Sequence, residues 1–517
     1  MYTEEEAREL VEKAISQAFN KFKDKEFDIA EVILLQVLKI DSESIGALHL
    51  LGMIHHESKN YNQSIDFFKK VLLIEPNNYE NLNNLSLSYS EKGQFEDSIE
   101  CLKKAIKIKP TCAFLYSNLG LQYKQLEDYE NAIKYLKKSL EIEETEIGWS
   151  MLGGCYGEQQ LLDEAEKCFL KSLEIKQDFA PAHVDLSNVY LTRGDFEKAW
   201  KEYEYRYEVF DQLKVWLDLY DEKKRWTGQS LENKTIILHG EQGSGDTIQF
   251  ARYISLLKNC RIIMHCSKNL SPIFKNIVDD FFTKEPTEIK REDLPEHDYQ
   301  CSVISLPFIL GTKEIPKTNI EINERFDLSE YDNFFKIGIS WAGNPQHPND
   351  ARRSLYLKNF QKIHDLSGVK LFSLVKDTRQ RVYRFMDDPI DLTKGSEEMK
   401  IVDFSSVIND FYDTAKIINS LDLVISVDTS VLHLAGSLGK ESWALLPQNC
   451  DWRWGQTGIK SEWYPSIKIF RQDENKDWKN VFCNVYKELT DILKQKKDKP
   501  LSLSFFGCGY NKIIKTV

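Results

Sequence analysis

A regular spacing of small residues constrains the first two hundred residues more than any other feature of the chain. Successive small side chains lie 34, 34, 34, 33 and 34 residues apart, at Ala30, Ser64, Ser98, Ala132, Ala165 and Ala199. A second small residue lies upstream of each of them, at Ala18, Gly52, Ser86, Gly120, Gly153 and Ser187. A period of this length predicts stacked structural units, each of which buries its apolar side only against its neighbours.

Each unit has the pattern of a helix pair. Segments such as YNQSIDFFKKVLLIEPNN carry apolar residues at helical spacing and end at a proline, which cannot continue a helix. The small residues allow the two helices to approach closely, and we expect large residues to fill the space between successive pairs: Phe68, Leu102, Leu136, Phe169 and Tyr203. The pattern resembles the tetratricopeptide repeat (TPR), with about six copies over residues 11–210. The alternative is a plain helical bundle.

A solenoid of such repeats has a concave face that binds peptides or proteins. Residues 1–210 are therefore predicted to be a repeat array with a groove for a polypeptide partner. The candidates for groove contacts are three asparagines, Asn84, Asn118 and Asn188, whose amides could hydrogen-bond an extended peptide backbone. Capping or solvation of the helices would explain these residues equally well.

The pattern changes after a junction at 211–233, where short β-type runs begin to alternate with helical segments. The predicted strands lie at 235–240, 261–266, 299–307, 335–343, 369–375, 422–427 and 442–446. This alternation predicts α/β structure with parallel sheets, in two doubly wound lobes at 234–330 and 331–495, followed by a tail at 496–517. Ligands of such sheets bind beyond the carboxyl ends of the strands, so a cleft is expected between the lobes.

The first candidate constellation is HGEQGSGD, a glycine loop between a strand and a helix. Gly243 and Gly245 allow a tight turn and a close approach of the backbone to a ligand, although the loop is not the dinucleotide fingerprint. Asp246 lies where the helix begins. It is either a helix cap or a general base that faces the cleft.

The second constellation is SVDTSVLHLAGSLG, in which a strand ends at Asp428 and a helix follows. The hydroxyls of Thr429 and Ser430 and the helix N-terminus suit a diphosphate. His433 lies one turn after Thr429 and could donate to a phosphate oxygen, unless it is a structural histidine.

Two further segments have both a functional and a structural interpretation. ISWAGNP places Ser340, Gly343 and Asn344 where a loop of the second lobe should meet the cleft, and Arg352 and Arg353 beyond it either add positive charge or lie in a solvated loop. The segment 451–472 is rich in Trp and Tyr. We interpret it as a packed cover over the sheet, with base stacking as the alternative.

Charge and cysteine content exclude several classes of function. The chain has 68 Lys and Arg against 81 Asp and Glu, and this net charge of −13 disfavours nucleic-acid binding. A start with three glutamates and the absence of long apolar runs predict no signal peptide and no transmembrane segment. The cysteines form no C-x-x-C pair, which favours a reducing cytoplasm and no metal site.

The ordered set HGEQGSGDTIQFARY, ISWAGNP, LDLVISVDTSVLHLAGSLG, DWRW and WYPS resembles bacterial TPR glycosyltransferases. Their catalytic half has the GT-B fold of two Rossmann-like lobes and is similar to heptosyltransferases and O-linked N-acetylglucosaminyl transferases. The resemblance implies that Asp246 is the acceptor base in the acceptor-side lobe. It also implies that Asp428, Thr429, Ser430 and His433 hold the donor, with Ser340 to Asn344 opposite. At residues 428–430 this chain has Asp-Thr-Ser, where heptosyltransferases commonly have Asp-Thr-Gly.

The resemblance implies a metal-independent and inverting transfer from a nucleotide-sugar, with no other cofactor. The acceptor would be a protein docked by the repeats; some relatives glycosylate flagellin. Two alternatives remain at this stage. The acceptor could be a lipid-linked or surface glycan, or the lobes could be inactive and the chain an interaction scaffold.

Overall fold

The computed structural model describes residues 4–347, 349–376 and 390–498. The first part is a solenoid of antiparallel helix pairs. Its helices are α1 (Glu4–Lys23), α2 (Phe27–Ile40), α3 (Ile45–Glu57), α4 (Tyr61–Ile74), α5 (Tyr79–Glu91), α6 (Phe95–Ile108), α7 (Ala113–Gln125), α8 (Tyr129–Ile142), α9 (Glu146–Glu158), α10 (Leu162–Ile175), α11 (Ala180–Arg193) and α12 (Phe196–Tyr203). The predicted repeat solenoid is therefore confirmed.

Close packing within each helix pair explains the small residues. A Cβ atom at Gly52 of α3 would lie 2.5 Å from Cε1 of Phe68 in α4, closer than real side chains approach. The Ser64 hydroxyl also donates to the Gly52 carbonyl at 2.8 Å. Phe68 therefore packs on the glycine of its own pair, and it also shares a core with Leu82 and Leu85 of the next pair, consistent with the predicted filling of the space between pairs. A large side chain can cross between the helices only where the facing residue is small.

The junction and the first lobe follow the solenoid without a break. The junction contains α13 (Arg206–Val209) and α14 (Lys214–Leu219), and the lobe contains α15 (Ser244–Phe250) and α16 (Leu306–Ile309). Four parallel strands lie in the order β3-β2-β1-β4: β1 (Thr235–His239), β2 (Arg261–His265), β3 (Asp280–Phe282) and β4 (Tyr299–Ser302). The short edge strand β3 was not predicted.

The second lobe has a six-stranded parallel sheet in the order β10-β9-β8-β5-β6-β7. Its strands are β5 (Phe335–Ser340), β6 (Val369–Ser373), β7 (Val402–Asp403), β8 (Leu423–Val427), β9 (Ser442–Leu446) and β10 (Ile467–Arg471). Its helices are α17 (Asp350–Arg353), α18 (Gln361–His364), α19 (Phe411–Ser420), α20 (Ser430–Ser437) and α21 (Trp478–Asp498). Strands β7 and β10 were missed. Helix α21 runs past the predicted lobe boundary at 495, and tail residues 499–517 lie outside the described residues.

One apolar core joins the last repeats to both lobes. Trp200 of α12 lies 5.6 Å from the ring of Phe250 in the first lobe and 6.0 Å from that of Trp452 in the second, measured between ring centroids. The buried aromatic and aliphatic side chains around these rings continue into both sheets. The predicted α plus α/β architecture is confirmed. None of the helices in the described ranges combines the length and apolarity that crossing a bilayer requires.

Candidate functional site

A cavity of about 570 Å³ lies between the carboxyl ends of the two sheets. That volume is in the range of sites for nucleotide-sized ligands. The structure brings together in its lining every residue predicted for the glycine loop and the donor pocket: Gly243, Gly245, Asp246, Ser340, Gly343, Asn344, Asp428, Thr429, Ser430 and His433. These residues come from two lobes and are separated by up to 190 positions in the chain (433 − 243 = 190).

Asp246 is held in place on both sides of its carboxylate. One oxygen, Oδ2, accepts the backbone N–H of Gly243 at 3.0 Å, which is how a residue in the first turn of α15 stabilises the helix start. The other, Oδ1, accepts from the Arg453 guanidinium. Asp246 also lines the cavity. The two interpretations from sequence, helix cap and cleft-facing carboxylate, are thus compatible, because a carboxylate has about four acceptor positions.

Arg453 is a cavity residue whose role sequence reasoning missed. Its guanidinium, 9% exposed, donates to Asp451 at 2.8 Å and to the Gln249 side chain at 2.5 Å, besides Asp246. Burial alone would lower the pKa of Arg453, but the charges of Asp451 and Asp246 raise it above its ordinary value. Arg453 lies between Trp452 and Trp454, which are buried as the predicted cover requires. The signal available in the sequence was the position of Arg453 between two tryptophans in the segment DWRW.

Helix α20 directs its N-terminus at the cavity. The Thr429 hydroxyl lies 3.1 Å from the Ser426 hydroxyl and does not cap the helix, which leaves the first turn of α20 open to an anion. Burial raises the pKa of Asp428, but contact with His433 and the charge of Arg353 outweigh burial and lower it to about 2. Asp428 is therefore a carboxylate at neutral pH.

His433 connects the two lobes. Its Nδ1 lies 2.8 Å from the Tyr464 hydroxyl, and its Nε2 lies 3.7 Å from Oδ1 of Asp428. A Cβ atom at Gly245 would lie 2.8 Å from the His433 ring. The glycine loop of the first lobe therefore needs a glycine at position 245 because the His433 ring packs directly on it. Sequence reasoning identified Gly245 and His433 separately but not this contact, nor Tyr464.

The loop after β5 is fixed by a buried acid. Asp350 is fully buried; it accepts from the Ser354 hydroxyl at 2.9 Å and from Arg353 at 3.2 Å. Ser354 in turn accepts the Gly343 N–H at 3.1 Å. This network holds Gly343 and Arg353 in the cavity wall, so Arg353 is not in a solvated loop.

The repeat array reaches the rim of the cavity. Arg352, which lines it, pairs with Glu127 at 2.9 Å and with Glu158 at 3.1 Å. Glu127 lies in the turn between α7 and α8, and Glu158 is the last residue of α9. Asn449, another lining residue, donates to the Glu158 carbonyl. Two repeats thus form part of the wall around the candidate site.

The predicted groove asparagines lie apart from the cavity lining, on the first helices of the repeats. Asn84 is 3.3 Å from Nε2 of His49, and Asn118 donates to Oδ1 of Asn83 at 2.8 Å. Both lie two residues before the small residue of their helix, whereas Asn188 lies one residue after Ser187 and is three residues out of phase. The residue in phase is Asp185. Burial raises the pKa of Asp185 to about 6, partly offset by the charge of Lys124.

The arrangement suits an anionic ligand. The open start of α20, His433 and three arginines line the cavity, and phosphate or carboxylate oxygens are the groups that such donors bind. The arginines are each paired with carboxylates, and four aspartates also line the cavity: Asp246, Asp410, Asp428 and Asp451. Within the described ranges, no cluster of three or more His, Cys, Asp and Glu side chains is placed to hold a metal ion.

Comparisons with known proteins match the repeats and one larger relative. Family models described as TPR repeat and tetratricopeptide repeat match residues 45–78, 87–126, 113–146 and 148–179. Protein FlbA of Caulobacter vibrioides is 22% identical over 349 residues, which cover 61% of this chain and 56% of that protein. This chain therefore spans little more than half the length of that relative.

Solved structures with local similarity include three proteins. MamA is 27% identical with a TM-score of 0.28, over 31% of this chain and 93% of that one. PilF of Pseudomonas aeruginosa is 17% identical with a TM-score of 0.35, over 40% and 93%. A thermophilic TPR protein of Thermus thermophilus is 23% identical with a TM-score of 0.31, over 35% and 99%. The family models show TPR repeats within residues 45–179 of this chain.

Proposed function

We propose that this protein is a glycosyltransferase that moves a sugar from a nucleotide-sugar to a polypeptide acceptor. The observation that supports the proposal most directly is the cavity wall. A carboxylate of the first lobe, Asp246, and the N-terminus of α20 in the second lobe both line a cavity of about 570 Å³, and Glu127 and Glu158 of two TPR repeats lie at its rim. TPR arrays bind peptides or proteins, so an acceptor docked on the array would lie beside the site.

The chemistry assigns one task to each side of the cavity. The open first turn of α20, with His433 and Arg453, binds the diphosphate of the donor and stabilises the charge that develops on it as it leaves. Asp246 accepts the proton of the acceptor hydroxyl. That oxygen forms a bond to the anomeric carbon, and the bond from this carbon to the phosphate oxygen breaks on the opposite face. The anomeric configuration is therefore inverted.

Donor binding is the first test. We expect the melting temperature of the purified chain to rise with one nucleotide family in a panel of nucleotides and nucleotide-sugars, because a ligand that binds only the folded state stabilises it. His433→Ala should reduce this shift. If no nucleotide or nucleotide-sugar stabilises the folded chain, the proposed activity is wrong and the interaction scaffold remains.

Transfer is tested with the donor that the panel identifies. Asp246→Asn keeps the size of the side chain and one acceptor oxygen, so it can accept from Gly243 or from Arg453 but not from both. It removes the base, so turnover should fall by roughly 10²–10⁴-fold while the donor-induced shift persists. Asp280→Asn, on the exposed edge strand β3, is the matched control and should leave turnover unchanged. Unchanged turnover in Asp246→Asn would refute the base assignment.

A further inference from the structure

The convex face of the first repeat differs from that of the other repeats. Besides Ile40 at its last position, α2 exposes three apolar side chains to solvent: Ile29 (48%), Val32 (57%) and Leu35 (41%). We call these three residues the α2 patch. They lie on the side of α2 opposite Ala30, Leu34 and Val37, which pack against the neighbouring helices. Their exposure therefore does not result from fraying of α2.

The other repeats show which residues normally occupy this face, because equivalent positions are separated by 33 or 34 residues. At the position of Val32, repeats two to five have Asp66, Glu100, Lys134 and Lys167. At the position of Ile29 they have Gln63, Asp97, Asn131 and Glu164, and at that of Leu35 they have Lys69, Lys103, Lys137 and Leu170. The convex face is thus polar or charged at these positions, apart from Leu170. Terminal repeats normally have a polar outer face, and the first repeat does not.

The charges around the α2 patch are self-complementary. Asp28 lies before the patch and Lys39 after it, and both are exposed. Suppose that two copies of α2 pack antiparallel about a two-fold axis that passes between residues 33 and 34. Each residue then faces the one whose number completes a sum of 67, so Val32 of one copy faces Leu35 of the other. In the same register, the Asp28 carboxylate of one copy faces the Lys39 ammonium of the other. A two-fold symmetric interface is formed by the same surface of both subunits, so that surface has to be complementary to itself.

We propose that the α2 patch is a docking site for a second copy of this chain, in an antiparallel α2–α2 pair. The proposal does not depend on the chemistry of the cavity. One helix face is smaller than a standard interface of about 1,600 Å², so the dimer should dissociate on dilution rather than be permanent. Dimerisation at the first repeat leaves the contacts of the fourth and fifth repeats with the cavity rim unchanged.

The test is sedimentation velocity of the full chain over a wide range of concentrations. We expect a reversible monomer–dimer equilibrium whose dissociation constant rises by roughly tenfold or more in Val32→Glu, because the interface would then bury two unpaired carboxylates. Lys134→Glu introduces the same residue at the equivalent position of the fourth repeat and should leave the dissociation constant unchanged. Circular dichroism of both variants checks the fold, and the exposure of Val32 makes unfolding an unexpected result.

Charge exchange tests the register. Asp28→Lys alone and Lys39→Asp alone should each weaken the dimer, and the double variant should restore it. A chain that is monomeric at every concentration would overturn the proposal, as would a dimer that tolerates Val32→Glu. A double variant as weak as the single ones would overturn the antiparallel register. A heterologous protein or a segment of a longer chain on the patch would appear as a monomer in this experiment.

Discussion

At the scale of single residues, the contact between Gly245 and His433 determines the shape of the cavity. The first lobe supplies a residue without a side chain, and the second lobe supplies the ring that occupies this space. The contact joins the two lobes, so neither lobe forms it alone. The pair therefore sets how closely the glycine loop and the start of α20 approach each other. Under the proposed function, this spacing determines how close the donor diphosphate lies to the acceptor hydroxyl.

Gly245→Ala tests this contact. The new Cβ would lie 2.8 Å from the His433 ring, so His433 has to move away from Tyr464 and Asp428, and we expect the donor-induced rise in melting temperature to shrink. Gly157→Ala is the control, because a Cβ at this helical position meets no atom within 4 Å. It should raise stability by roughly 0.5–1 kcal/mol and leave donor binding intact. An unaltered donor response in Gly245→Ala would show that the ring position is unimportant.

At the scale of secondary-structure elements, a buried ion pair ties the helices after the last repeat to the glycine loop. Arg206, at the start of α13, is fully buried and donates to Glu241 at 2.6 Å, to Glu204 at 2.6 Å and to Ser305 at 2.7 Å. Glu241 follows β1 and is 1% exposed. The loop that carries Asp246 is therefore positioned from the repeat side as well as from its own sheet.

We predict that Arg206→Leu lowers the free energy of unfolding by roughly 3–5 kcal/mol, because Glu241 is left buried without its partner. The double variant Arg206→Leu/Glu241→Leu should recover part of this loss. Lys234→Leu, which removes an exposed pair with Asp298, should cost at most about 1 kcal/mol. Denaturant unfolding of the four proteins gives these values. Equal losses in the single and double Arg206 variants would argue against an uncompensated Glu241 as the cause.

At the scale of the whole molecule, the array and the lobes share one core around Trp200. Its ring contacts Phe250, Trp452 and Trp463, which come from the first lobe and from the cover segment of the second. A shared core of this kind couples the unfolding of its parts. The repeats are therefore a structural component of the candidate site and more than an appended adaptor.

Trp200→Ala should uncouple these parts. We expect one calorimetric transition in the parent chain and separate transitions for the array and the lobes in the variant, with a loss of roughly 3–5 kcal/mol from the cavity that the substitution leaves. Trp149→Ala removes a tryptophan of the array away from the shared core and should lower stability without separating the transitions. A single, lower transition in Trp200→Ala would mean that other contacts suffice for coupling.

Much of the fold could be predicted because its signals are local. The 34-residue period fixes the helix pairs, and buried runs such as Thr235–His239 and Leu423–Val427 mark central parallel strands. The missed strands β3, β7 and β10 are all edge strands, although the remaining edge strand, β4, was predicted. An edge strand pairs on one side only, and a short one carries too few residues for a periodicity, so neighbouring strands decide whether it forms.

The candidate site also combines features that are local in the sequence with contacts that form only in the folded chain. The sequence by itself determined the glycine loop, the Asp-Thr-Ser start of α20 and the repeat register, because each depends on residues within about one turn or one repeat of each other. Only the tertiary structure decided that Arg453 binds Asp246, that His433 packs on Gly245 and that Glu127 and Glu158 hold Arg352. These contacts join side chains from different lobes and repeats. Their geometry depends on how whole elements pack, which no local pattern of residues encodes.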